Sequence, residues 1–96
     1  MEHNEVSIHE VRIFVALRDS ANRWLTNKEI AGNAKVAYRT TAQHTQRLVK
    51  LGLLDVAEVF PAHRYRLAQK AAKRNAAYVL KLERALEVFG ISDGGK

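Results

Sequence analysis

The chain contains no cysteine, one proline, one tryptophan and one methionine among its 96 residues. The missing cysteines exclude disulfides, thiolate zinc sites and cysteine nucleophiles, and they fit a reducing compartment. No apolar run approaches the roughly 20 residues that a membrane span requires. The opening MEHNEVSIHE is polar and acidic rather than signal-like. A soluble, cytoplasmic protein is therefore the expectation. His3, His9, His44 and His63 form no H-x-x-x-H pair and lack an acid pair at ligand spacing. No metal, cofactor or enzymatic activity is expected from them.

Acidic residues are the absence that varies along the chain. Residues 35–74 hold nine Lys/Arg against only Asp55 and Glu58, and no acid lies between Lys35 and Lys50. The flanking stretches are nearly neutral, so the net charge of +6 is concentrated in the middle. A basic stretch of this kind is what a phosphate-meeting surface requires, although a solvated basic face has the same composition.

With 47% hydrophobic and 27% charged residues, the chain has the composition of one small globular domain spanning 1–96. Ser7 to Glu10 has capping-box spacing and predicts a helix with Ile8, Val11, Phe14, Val15 and Leu17 inward. Asp19-Ser20-Ala21-Asn22 ends it. Trp24-Leu25 is a candidate brief strand, with Trp24 expected as a core plug. Thr26 to Glu29 repeats the capping-box spacing and predicts a short helix, with Gly32-Asn33 as its stop.

A third helix is predicted over 38–51 and closed by Gly52. At about 100° per residue, Ala42, Thr45, Leu48 and Val49 share one side with Thr41 and Tyr38 beside them. Arg39, Gln43, Gln46, Arg47 and Lys50 share the other. Residues 53–59 and 63–67 have strand character, and Phe60-Pro61-Ala62 forms the turn between them. Phe60 would be an exposed aromatic at that turn. A long helix is predicted over 68–89, ended by Gly90, with 90–96 as a flexible tail. Ala72, Asn75, Val79, Leu82, Leu86 and Phe89 form a heptad seam on it. The seam serves either dimerisation, with Asn75 setting register, or packing against the first helix.

"LTNKEIAGNAKV", "RTTAQHTQRLVKLGLLD" and "RYRLAQKAAK" occur in the order helix-turn-helix, recognition helix and wing. Together with the elements around them they resemble the winged helix-turn-helix DNA-binding family, most closely its small MarR/ArsR-type regulators. The resemblance covers roughly residues 7–89. It implies a mainly α fold with a small β-wing, a DNA-binding core over 7–67 and a dimerisation helix over 68–89. It also implies that Arg39, Gln43 and Arg47 point into the major groove, where Arg pairs with guanine and Gln with adenine. Thr40 falls where a hydroxyl reaches a phosphate, and Thr41 either does the same or is buried. Thr26, Lys35 and Lys50 would lie near the backbone. Gln46 shares the outer face, His44 flanks it, and Arg64 with His63 would lie at the tip of a wing over 55–67 near the minor groove.

The expected function is sequence-specific binding of double-stranded DNA as a homodimeric, nucleoid-associated repressor. The chain offers no obvious small-molecule pocket and lacks the ligands of the metal-sensing branch. The alternatives are a DNA-binding accessory of plasmid, phage or mobile-element maintenance, or a winged-helix module that binds proteins. The last of these would require an apolar outer face on the third helix.

Overall fold

The computed structural model describes residues 6–20, 23–59 and 61–90. Phe60, His3 and the 91–96 tail lie outside them. The elements run α1 (Ile8–Asp19), β1 (Leu25–Thr26), α2 (Asn27–Ala34), α3 (Tyr38–Lys50), β2 (Leu54–Val59), β3 (Ala62–Leu67), α4 (Ala71–Arg74) and α5 (Ala76–Phe89). The architecture is mainly helical, with a three-stranded antiparallel sheet in the order β1-β3-β2.

Local chemistry explains most of the boundaries. Ser7 caps α1 by accepting the Glu10 amide at 3.2 Å. Glu10 does not return the bond as a capping box would, because its carboxylate is turned inward. At α2 both halves of the box form: Thr26 Oγ1 accepts from the Glu29 amide at 3.2 Å, and Glu29 Oε1 accepts from the Thr26 amide at 2.9 Å. Helix α2 continues through Gly32 and Asn33 and stops at Lys35, which adopts the left-handed conformation at φ 59°. The expected Gly32-Asn33 stop is therefore displaced. The turn is set by hydrogen bonding, since the amides of Lys35 and Val36 both return to the Ala31 carbonyl.

Helix α3 closes as predicted. The Gly52 and Leu53 amides bond back to Val49 and Leu48, and Gly52 takes φ 86°, where an added Cβ would meet Arg74 Cβ at 3.3 Å. In the hairpin, Val59 pairs with Ala62 next to the turn and Leu54 with Leu67 at the far end. Strand β1 joins the other edge of β3, with Leu25 opposite Tyr65. Trp24 is half-buried and stacks under the Arg66 guanidinium, 4.3 Å from the ring centroid, rather than plugging the core.

The predicted 68–89 helix is broken. Asn75 sits at φ −152°, ψ 71°, outside helical geometry, and separates α4 from α5. Its Oδ1 caps α5 by accepting the Tyr78 amide at 3.2 Å, and its Nδ2 donates to the Leu51 carbonyl at 3.2 Å. Asn75 is thus occupied inside its own chain. The rest of the seam divides in the same way. Leu82 and Leu86 are buried in the core and Val79 packs against it, whereas Ala72 and Phe89 are exposed. Packing of α5 against α1 consumes the centre of the heptad stripe. The core joins Val11, Ile13, Phe14 and Leu17 of α1 to Ile30, Leu48, Leu53, Tyr65 and Leu82.

Because Asn75 both caps α5 and ties it to the end of α3, Asn75→Ala is predicted to cost about 1–2 kcal/mol. Urea unfolding measures this. A change below about 0.5 kcal/mol would class the position with ordinary surface sites.

Candidate nucleic-acid interface

The outer face of α3 is built by what its inner face buries. Thr41, Thr45 and Leu48 occupy successive inward positions and are at most 1% exposed. Thr45 Oγ1 donates to Asn27 Oδ1 at 2.7 Å, which ties α3 to the first residue of α2. Thr41 Oγ1 is buried with no hydrogen-bond partner among the described residues. The threonines on the inner face are thus structural, and Thr41 is too deep to reach a phosphate. Thr40 is half-buried at the edge of the outer face.

Arg39, Gln43, Gln46, Arg47 and Lys50 are all exposed, and their spacing places them on the side opposite Thr41 and Thr45. The stripe carries Arg39, Arg47 and Lys50 and no acid. It offers guanidinium and amide donors with amide acceptors, the groups that read base edges, beside an ammonium suited to phosphate. Lys35 is also exposed, at the turn leading into α3.

His44 does not belong to this stripe. It is only 20% exposed, and its Nδ1 lies 3.4 Å from Glu10 Oε1 on α1. Glu10 itself is 3% exposed and accepts a hydrogen bond from the Tyr78 hydroxyl on α5. That hydroxyl accepts in turn from Arg47 Nη2 at 3.4 Å. The Arg47 guanidinium lies 5.9 Å from the Tyr78 ring centroid. Sequence periodicity missed Glu10 and Tyr78 altogether. The available signal was an acid among the inward positions of α1, which the capping-box spacing disguised.

The wing also differs from expectation. Arg64 is exposed but pairs with Thr26 on one side and Ala57 on the other, so it lies within the sheet and not at the tip. The tip is flanked by Val59 and Ala62, with His63 one step in, opposite Glu58. His63 instead lines a groove of 860 Å³ between the wing and the starts of α2 and α3, together with Thr26, Lys28, Tyr38 and Pro61. Tyr38 is 60% exposed, and Lys28 is exposed without an ion pair among the described residues. The hydroxyl of Thr26 is engaged in the α2 cap. Lys28 is a candidate contact that charge counting passed over, because it falls outside the basic stretch.

Among the described residues no group of three or more His, Asp or Glu is placed to hold a metal ion. Nor is any described helix long and apolar enough to cross a membrane.

A polar-faced helix after a capped short helix, followed by a hairpin wing, defines the winged helix-turn-helix fold as it occurs in MarR-type transcription regulators. The likeness is structural. The PcaV transcriptional regulator of Streptomyces coelicolor, solved with its natural ligand, matches 93% of this chain and 64% of its own at TM-score 0.63 and 18% identity. A mutant of Lactococcus lactis ZitR in complex with DNA matches 93% of this chain and 61% of its own, at TM-score 0.57 and 15% identity. A protein of the archaeon Sulfolobus tokodaii matches 86% of this chain and 87% of its own, at TM-score 0.56 and 17% identity. The chain thus spans less than two thirds of the length of PcaV and ZitR. No protein-family model matches it, and no curated protein is similar to it in sequence.

Two predictions follow from the inner face of α3 and from its polar contact with α5. Thr45→Val should cost about 1–2 kcal/mol by removing the bond to Asn27, while Thr41→Val should be neutral or stabilising by up to about 1 kcal/mol. Thermal unfolding of the two variants compares them, and equal losses would refute the distinction. Separately, burial and then the Glu10 carboxylate raise the Tyr78 pKa from 10.0 to about 12. The folded chain therefore holds this proton more tightly than the unfolded one. The associated stability is complete below pH 10 and is lost as pH rises through about 12. Carbon-13 NMR of the tyrosine Cζ atoms, assigned with Tyr78→Phe, reads the midpoint directly; ionisation near 10 would contradict it.

Proposed function

We propose that this protein is a cytoplasmic, sequence-specific double-stranded DNA-binding transcription regulator that acts as a homodimeric repressor. The observation that carries the reading is the exposed, acid-free stripe Arg39, Gln43, Gln46, Arg47 and Lys50 on the third helix of a winged helix-turn-helix fold. Helix α3 lies in the major groove, where Arg39, Gln43 and Arg47 read base edges and Gln46 supports them. Lys50, Lys35 and Thr40 meet the phosphate backbone. A backbone strand passes along the groove between the wing and α2, near Thr26, Lys28, Tyr38 and His63, and Arg64 contacts the strand beyond. His44 and Thr41 take no part in contact, since one faces Glu10 and the other is buried.

Two further points support the reading. ZitR, which shares the fold, has been solved on DNA. The outer face of α3 also lacks the apolar residues that a protein-binding module would need. Dimerisation rests on the apolar residues that α5 leaves exposed, Leu80, Val88 and Phe89, rather than on the buried part of the heptad stripe. A dimer places two α3 helices about 34 Å apart, in successive major grooves.

The test is fluorescence-anisotropy titration of duplex DNA at several salt concentrations, with light scattering for oligomeric state. A dimer whose log affinity falls steeply and linearly with log salt is the expected result. Arg39→Ala is expected to lose about 1–3 kcal/mol on a selected site and to relax its sequence preference. Lys50→Ala should weaken binding to all sequences alike and flatten the salt slope. Absence of binding at low salt would overturn the reading.

A further inference from the structure

Of the five side chains in the α3 stripe, Arg47 alone is held. Arg39, Gln43, Gln46 and Lys50 make no side-chain hydrogen bond or ion pair among the described residues. Arg47 is held by the Tyr78 hydroxyl and the face of its ring, and Tyr78 belongs to α5, which does not carry the stripe. The hydroxyl is in turn fixed by Glu10, a carboxylate on α1 that is 3% exposed. A phenol has one proton. Donated to Glu10, it leaves only lone pairs toward Arg47, so the polarity of the contact is set from the core outward. A phenol keeps that proton throughout the physiological range, and burial beside Glu10 holds it more tightly still.

We propose that Tyr78 is a specificity-determining positioning residue, whose hydroxyl, anchored on Glu10, sets where the Arg47 guanidinium is presented to DNA. The proposal rests on the DNA-binding reading above. It goes further in assigning a role in base selection to a residue outside the stripe. A guanidinium reads guanine through two parallel donors, and small changes in its position decide whether both engage. A side chain held in one place also loses less conformational freedom on docking than a free one. Tyr78 thus acts on DNA only through Arg47.

Tyr78→Phe isolates the hydroxyl, because the ring stays to stack under Arg47 and under Lys81, whose Nζ lies 5.6 Å from its centroid. Wild type, Arg47→Ala, Tyr78→Phe and the double variant would each be carried through selection from a randomised duplex pool. Arg47→Ala should flatten the preference at a few base pairs. Tyr78→Phe should reduce discrimination at those same base pairs by about fivefold to tenfold and leave the others unchanged. The double variant should match Arg47→Ala, since the two residues act in one line. A purely structural role for Tyr78 would weaken all positions alike. That result would overturn the proposal, as would an unchanged motif, a change at other base pairs, or additive effects.

If Tyr78→Phe does not fold, NMR of the Arg47 guanidinium in the free wild-type protein answers the same question. Slowed rotation about its Cζ–Nε bond supports the proposal, and free rotation overturns it. A wild type that binds duplex but selects no motif removes the sequence-reading premise, whereas a wild type that selects one without responding to Tyr78→Phe removes only the assignment to Tyr78.

Discussion

A carboxylate almost wholly withdrawn from water is the constraint around which this structure is arranged. Glu10 is 3% exposed, and an unpaired buried carboxylate costs far more than a small domain can sustain. Its partners come from two other helices: the Tyr78 hydroxyl of α5 donates a hydrogen bond to it, and the His44 ring of α3 lies 3.4 Å away. Each contact requires a particular placement of its helix against α1. Replacing such a polar cluster with apolar residues of similar volume is often neutral or stabilising, whereas removing one partner is strongly destabilising. The cluster therefore contributes geometry more than net stability. What it fixes is the position of α3 relative to the two helices that pack behind it.

The threonines of α3 belong to the same arrangement. They are mediocre helix formers, and the N-cap residue of α3, Ala37, provides no side-chain cap. Thr41 and Thr45 are nevertheless fully buried on the inner face of the helix. Thr45 adds a hydrogen bond across the crossing, to Asn27. Position, not propensity, explains their presence.

This distinction marks what was legible in the sequence. The cap at Thr26, the stop at Gly52, the hairpin and the polar face of α3 depend on neighbours a few residues away, and short-range spacing records such contacts. The roles of Glu10, His44, Arg64 and Asn75 depend on residues far away in sequence. Glu10 and Tyr78 are separated by 68 positions, and Asn75 and Leu51 by 24. Asn75 also fits a heptad pattern, but only the part after the break faces the core: Val79, Leu82 and Leu86 pack there, whereas Ala72 before it is exposed. Periodicity detects burial without distinguishing a partner chain from the chain's own first helix. Arg64 fell two positions from the hairpin turn, and only the strand register places it beside Thr26.

The two faces of α3 are under opposite constraints, and this bears on how freely its outer surface can vary. By excluding acids, the outer face gives up i,i+4 ion pairs worth about 0.2–0.5 kcal/mol each, and the missing cap forgoes about 1 kcal/mol more. Burial of Thr41, Thr45 and Leu48 offsets these losses, so the helix holds its shape through tertiary contacts and not through its own surface. Arg39, Gln43, Gln46 and Lys50 consequently have no structural duty among the described residues. Substituting them changes the chemistry of the outer face while leaving the fold in place. Arg47 is the exception, because its outer-face position is coupled through Tyr78 to a carboxylate in the core, and a change in core geometry can reach the outer face there.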